Sequence, residues 1–176
     1  MNKAVILLTA VILCGISLDA QRGETMQVGA ATFWLGMSEE QAHGALQPAM
    51  SLSWVGDGMI ESAKGPPFEM YGQVAITKGR VAFISKEWLL NATPDTQIGL
   101  ASAIYGAFAS MTNGNEMDCH VSSYTQKEPA YEEEGVDVTC PEGGVIRSVG
   151  ITNYRTNVEV QERLATLDHW KLRNQP

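Results

Sequence analysis

The chain of 176 residues is short of most of what catalysis and nucleic-acid binding draw on. It has three histidines, His43, His120 and His169, too far apart to place two metal ligands on one helix face. There is no phosphate-cradling glycine loop, no nucleophile elbow and no Cys-His pair with useful spacing, so the sequence predicts neither a metal nor a cofactor. Positive charge is scarce as well: 12 Lys and Arg face 20 Asp and Glu, and the net charge is −8. The lack of a basic run disfavours nucleic acid and anionic lipid as partners, because phosphate recognition needs clustered Lys and Arg. After residue 13 no stretch is apolar enough to span a bilayer.

Cysteine is also sparse, with only Cys14, Cys119 and Cys140. Cys14 sits at the end of the apolar run in the segment MNKAVILLTAVILCGISLDAQ, in which Lys3 precedes that run and small or polar residues follow. That is the layout of a cleavable secretory signal, with cleavage expected after Ala20 and an uncleaved anchor as the alternative. Leu13 is too large for the residue before a lipid-attached cysteine, so Cys14 should leave with the signal. An exported domain of residues 21–176 follows, periplasmic or extracellular, with no membrane span after cleavage and its charge still −8 once Lys3 and Asp19 are gone. Cys119 and Cys140 remain, an even pair that predicts one disulfide in an oxidising compartment.

Val28 to Leu35 reads as one strand ending at Gly36. Ser38 then begins a capping box with Gln41, with Glu39 and Glu40 at the positive end of the helix dipole. Ala42, Ala45 and Leu46 form the inward stripe, and Pro48 stops the helix. Short strands follow around Gly56, Asp57 and Gly58, then a Pro66-Pro67 loop. A hairpin over Met70–Thr77 and Arg80–Trp88 should set Ile76 opposite Val81 and Val74 opposite Phe83. A second helix ends before Asn113, with Ile98, Ala101, Ile104, Tyr105, Phe108 and Met111 as its expected buried stripe, and small residues for close approach to a sheet.

In the last third, pairing Cys119 across from Cys140 places Val121 opposite Val138 and Ser123 opposite Val136, so the disulfide and the period-two hydrophobic pattern select the same hairpin. Val145, Val149 and Ile151 continue the sheet, and Val158 and Val160 add a strand. Arg147 shares the parity of those core residues, for which a bulge is the expected explanation, set against a buried functional arginine. The tail from Leu167 reads as partly loose. This order predicts an α+β fold, two helices packed on antiparallel sheet, and it admits two helix-then-meander halves, 26–90 and 91–165.

The segment Thr32–Trp88 resembles exported domains of the β-lactamase-inhibitor-protein and SmpA/OmlA type. The turn Gly36-Met37-Ser38 matches the opening of their first helix, and Lys78-Gly79-Arg80-Val81 matches their hairpin. Leu46-Gln47-Pro48-Ala49 departs from their helix ending by lacking a glycine, the second half fits less well, and the lipid-attachment cysteine of the lipoprotein members is missing. The resemblance implies non-catalytic protein binding in the cell envelope or outside the cell, through assembly, scaffolding or inhibition. It transfers no inhibitory residue.

The residues themselves offer Tyr124 and Tyr131, flanking a hairpin loop, and the run Glu132, Glu133 and Glu134 as the binding candidates, on that loop or on the outward face of a sheet. The glutamate run lacks the alternating ligands and turn glycine of a calcium loop. Two alternatives stay open: a secreted hydrolase using Asp118 and His120 as a general-base pair, and a carrier with a pocket beneath the second helix.

Overall fold

The computed structural model describes residues 24–47, 52–56, 58–62, 69–92, 97–127, 132–154 and 157–173. The predicted signal, Asp57, the Pro66-Pro67 loop and Tyr131 lie outside the described residues. The elements run β1 (Thr25–Val28), β2 (Ala31–Trp34), α1 (Glu39–Leu46), β3 (Leu52–Val55), β4 (Met59–Ser62), β5 (Met70–Thr77) and β6 (Arg80–Ala92). Then come α2 (Gln97–Thr112), β7 (His120–Lys127), β8 (Glu132–Glu142), β9 (Val145–Tyr154), β10 (Asn157–Thr166) and α3 (Leu167–Arg173).

The expected α+β class is overturned. Among the described residues strand outweighs helix by 60% to 23%, so the structure is mostly β. One antiparallel sheet of eight strands, ordered β3-β4-β5-β6-β10-β9-β8-β7, organises the molecule beside a two-stranded β1-β2 sheet. The physical reason lies in β6. At 13 residues it has a full edge on each side, and it takes β5 on one and β10 on the other. Two four-stranded meanders thereby become a single sheet, on which the helices are covers rather than a layer of equal weight. Two smaller corrections follow. Gly29, at φ 58°, lets the expected single strand Val28–Leu35 become the β1–β2 hairpin, and the tail expected to be partly loose forms α3 over Leu167–Arg173, with 174–176 outside the described residues.

Alternation along β10 sorts the two faces. Val160 and Leu164 point to the side where α1 and α2 pack, with Ala42, Leu46, Val74 and Ile84 in one cluster and Ala103, Ala107, Met111 and Val149 in the other. Ala165 points the other way, where α3 sets Leu167 and Trp170 against Phe83 and Ile146. Phe83 was expected opposite Val74. The hairpin begins as predicted, with Thr77↔Arg80 and Ile76↔Val81, but Ala82 is an extra residue, so Val74 pairs Ile84 and Ala75 pairs Phe83. A one-residue bulge moves every later side chain to the opposite face, and Phe83 with it.

Local signals elsewhere are realised in detail. Ser38 Oγ accepts from the Gln41 N–H and Gln41 Oε1 accepts from the Ser38 N–H, closing the capping box. Cys119 and Cys140 form the disulfide, and Val121↔Val138 and Ser123↔Val136 are in the predicted register. The buried stripe of α2 differs from expectation: Ala103, Ala107 and Met111 are buried, whereas Ala101 is exposed and Tyr105 is 77% exposed. Small residues win the inward positions because the sheet comes close. A Cβ on Gly106 would stand 2.6 Å from the Trp88 ring.

Candidate functional site

The face of the sheet opposite α1 and α2 carries α3 only at one end. Beyond it, a carpet of polar side chains runs across β6, β10, β9, β8 and β7. Its axis is β10, where Glu159, Gln161 and Arg163 alternate with Val160, Glu162 and Leu164. Register brings the neighbours. Gln161 lies between Glu87 on β6 and Gly150 on β9, and Gly150 faces Asp137 on β8. Glu159 faces Thr152, which faces Gly135, which faces Tyr124 on β7.

Arg163 joins the carpet into a chain of bonds. Its Nη1 donates to Asp137 Oδ1 at 2.8 Å and its Nε to Gln161 Oε1 at 2.5 Å. Gln161 Nε2 donates in turn to Glu87 Oε1 at 2.5 Å. The Tyr124 hydroxyl and Thr152 Oγ1 share a bond of 2.7 Å. Two strand glycines make these poses possible. A Cβ at Gly150 would come within 2.5 Å of Arg163 Nη2 and 2.7 Å of Asp137 Oδ1, and one at Gly135 within 2.4 Å of Tyr124 Cζ. The guanidinium and the phenol therefore lie flat over bare backbone, where any other residue would lift them off the sheet.

Burial first, and the crowding of acids second, shift the protonation of groups on this face. Burial raises the Glu87 carboxyl above its ordinary range, opposed by the bond from Gln161, raised further by Glu159 and relieved in part by Arg163. Burial also raises Glu159, with Glu133 adding to the effect and the Asn157 amide opposing it. Tyr154 is pushed up to about 12, first by burial and then by the charges of Glu159 and Glu133. Tyr124 is raised by burial against the stabilising bond to Thr152. Glu87 Oε2 is buried with no hydrogen-bond partner among the described residues.

The structure brings together only part of the predicted set. Tyr124 and Glu133 belong to the carpet, Glu133 opposite Gln126 and Tyr154. Glu132 and Glu134 have the opposite parity, and Glu132 accepts from Lys127 Nζ at 3.3 Å. Arg163, Gln161, Glu159, Glu87, Thr152 and Tyr154 were not foreseen. The available signal was the polar period-two series on β10 together with two glycines inside strands.

Asp118 and His120 are exposed, and neither lines either of the two clefts described for this molecule. His43 has a ring partner in Trp54, centroids 4.5 Å apart. Arg147 corrects the expected bulge: β9 pairs without a register break to β8 and β10, so the arginine does share the core parity, and it reaches Glu24 in an ion pair. The space beneath α2 is occupied by Ala103, Ala107, Met111 and Trp88. Among the described residues no group of three His, Cys, Asp or Glu could hold a metal ion, and no helix is long and apolar enough to cross a membrane. The disulfide and that absence are compatible with an exported protein. No family model matches the chain, and neither a curated protein nor a solved structure matches it.

Proposed function

We propose that this chain is a non-catalytic exported protein-binding module whose contact surface is the sheet face around Tyr124 and Arg163. The observation that carries the reading is the pair of glycine platforms. Gly135 and Gly150 hold a tyrosine and an arginine flat and bonded before any partner arrives. Tyr and Arg are the residue types over-represented among interface hot spots, and fixing them in advance removes part of the ordering cost of association. Glu87, Glu133, Asp137 and Glu159 around them favour a partner that presents Lys or Arg to this face. The signal-like segment 1–20 and the disulfide support a partner in the envelope or outside the cell, in an assembly, scaffolding or inhibitory role of the kind the sequence resemblance implies.

The test is affinity capture from the host envelope and culture fluid with the disulfide-bonded protein, run beside Tyr124→Ala and Arg163→Ala. A partner retained by the parent and weakened at least tenfold by both variants is the expected outcome. Retention of nothing, or equal retention by all three proteins, overturns the reading.

A further inference from the structure

A cleft of about 490 Å³ opens where the β3–β4 hairpin parts from β5. β4 pairs β5 through Met59↔Gln73 and Ile60↔Gly72, and beyond them the Val74 N–H donates to the Gly58 carbonyl at 2.8 Å. There the hairpin turns away. Gly58 has φ 97°, and a Cβ on it would sit 1.9 Å from the Val74 carbonyl oxygen, so only glycine makes this last rung. β5 itself continues through Ala75, Ile76 and Thr77, held by β6 on its other side. Backbone groups of alternate residues in an antiparallel strand point the same way. The N–H and C=O of Ile76 therefore face the cleft, on the side where Val74 meets Gly58, and no strand among the described residues pairs with them.

Ring contacts mark the walls on the two faces of this free edge. On one, His43 of α1 packs against Trp54 of β3. On the other, His169 of α3 lies 5.5 Å from the Phe83 ring, with its Nδ1 3.3 Å from Thr77 Oγ1. Among the described residues, Glu39 in the first turn of α1 is the only carboxylate, Lys or Arg on the lining.

We propose that this cleft binds a short extended peptide as an added strand on β5. The peptide takes up the ladder where Gly58 leaves it, bonding the Ile76 N–H and C=O. Its side chains fall alternately against the Trp54–His43 pair and against His169, with a basic residue toward Glu39. The free edge from Ala75 to Thr77 is about 10 Å long at a rise of about 3.3 Å per residue, which suits roughly three peptide residues. The site shares no residue with the Tyr124–Arg163 surface and stands or falls apart from it.

A random heptapeptide phage library panned on the disulfide-bonded protein supplies the probe, and the most enriched sequence is synthesised and titrated by amide NMR. The expected result is a peptide whose shifts centre on Val74–Thr77 and which slows exchange of the Ile76 amide at least tenfold. Glu39→Lys and His43→Ala, both on the surface helix α1, should each weaken it at least tenfold, while Tyr124→Ala leaves its affinity unchanged. Enrichment of no peptide, shifts confined to other parts of the sheet, or cleft binding that leaves Ile76 exchange unaltered would each overturn the proposal.

Discussion

The ring of Tyr124 lies over Gly135, and its hydroxyl bonds Thr152 at 2.7 Å across the neighbouring strand. The pose exists only because residue 135 has no Cβ. Gly135→Ala puts a carbon within 2.4 Å of Cζ, so the ring must lift and the hydroxyl bond must break. The expected cost is about 1–3 kcal/mol, the usual range for an added methyl in a packed site. A double-mutant cycle separates this from any intrinsic cost of alanine. In a Tyr124→Ala background the same substitution should cost far less, because the steric partner is gone. Urea denaturation of the four proteins measures it, and equal costs in both backgrounds would contradict the account.

The disulfide closes the β7–β8 hairpin, joining residues 21 apart in sequence. In the chain-entropy model a loop of that length is worth about 3 kcal/mol. Cys140 is fully buried and Cys119 half-buried in the cluster beneath α2, so their replacement by alanine also trims packing. The double variant Cys119→Ala/Cys140→Ala should lower the urea midpoint, and reductant should lower that of the parent by a comparable amount. A parent indifferent to reductant would show that the bridge carries no stability.

Those two features mark what sequence could and could not show. The cap at Ser38, the bridge and the register of Val121 and Val138 were legible because each is decided within a few residues, or by two signals that agree. Phe83 was misplaced because the Ala82 bulge leaves no mark in hydrophobic alternation: two apolar residues in a row suit either face. The α+β expectation failed on β6, whose two-sided pairing depends on β10, with partners as far apart in sequence as Phe83 and Ala165. The carpet around Arg163 was hidden for the same reason. Its members come from five strands, and on any one of them a polar alternate position reads as an ordinary solvent face. Gly135 and Gly150 were the clue, since a glycine inside a strand commonly marks close approach of another group.

Glu162 decides how α2 sits on the sheet. It is only 4% exposed, and its carboxylate accepts from Trp88 Nε1 at 2.9 Å and from Ser110 Oγ at 3.0 Å. Trp88 itself packs against Gly106, and Lys86 Nζ lies 3.9 Å from the centre of its ring. Glu162→Ala leaves the half-buried indole without its acceptor, while the exposed Ser110 hydroxyl can turn to water, and should cost about 1–3 kcal/mol, the range for one orphaned polar group. Glu162→Gln keeps an acceptor for the indole and should cost much less. Hydrogen exchange should rise along α2 in the alanine variant before it rises in β8 or β9, and a uniform rise would sink the assignment.

The acids of the open face give stability a pH dependence whose sign follows from their direction of shift. Glu87 and Glu159 are raised in the folded state by burial, relative to an ordinary value of 4.5. A raised carboxyl binds its proton more tightly when folded, so its contribution is full below the unfolded value and is lost as pH rises through the folded one. Stability should therefore fall from about pH 4.5 upward and then level off. Tyr154 adds a second step of the same sign. Its hydroxyl moves from 10.0 to about 12, so a further loss should set in above pH 10 and finish as pH passes 12. Glu87→Gln should shrink the first step, to which Glu159 still contributes, and leave the second, whereas Tyr154→Phe should shrink the second, to which Tyr124 still contributes, and leave the first. Melting temperatures across the pH range measure both, and a Glu87→Gln profile parallel to that of the parent in mild acid would show that Glu87 is not the group responsible.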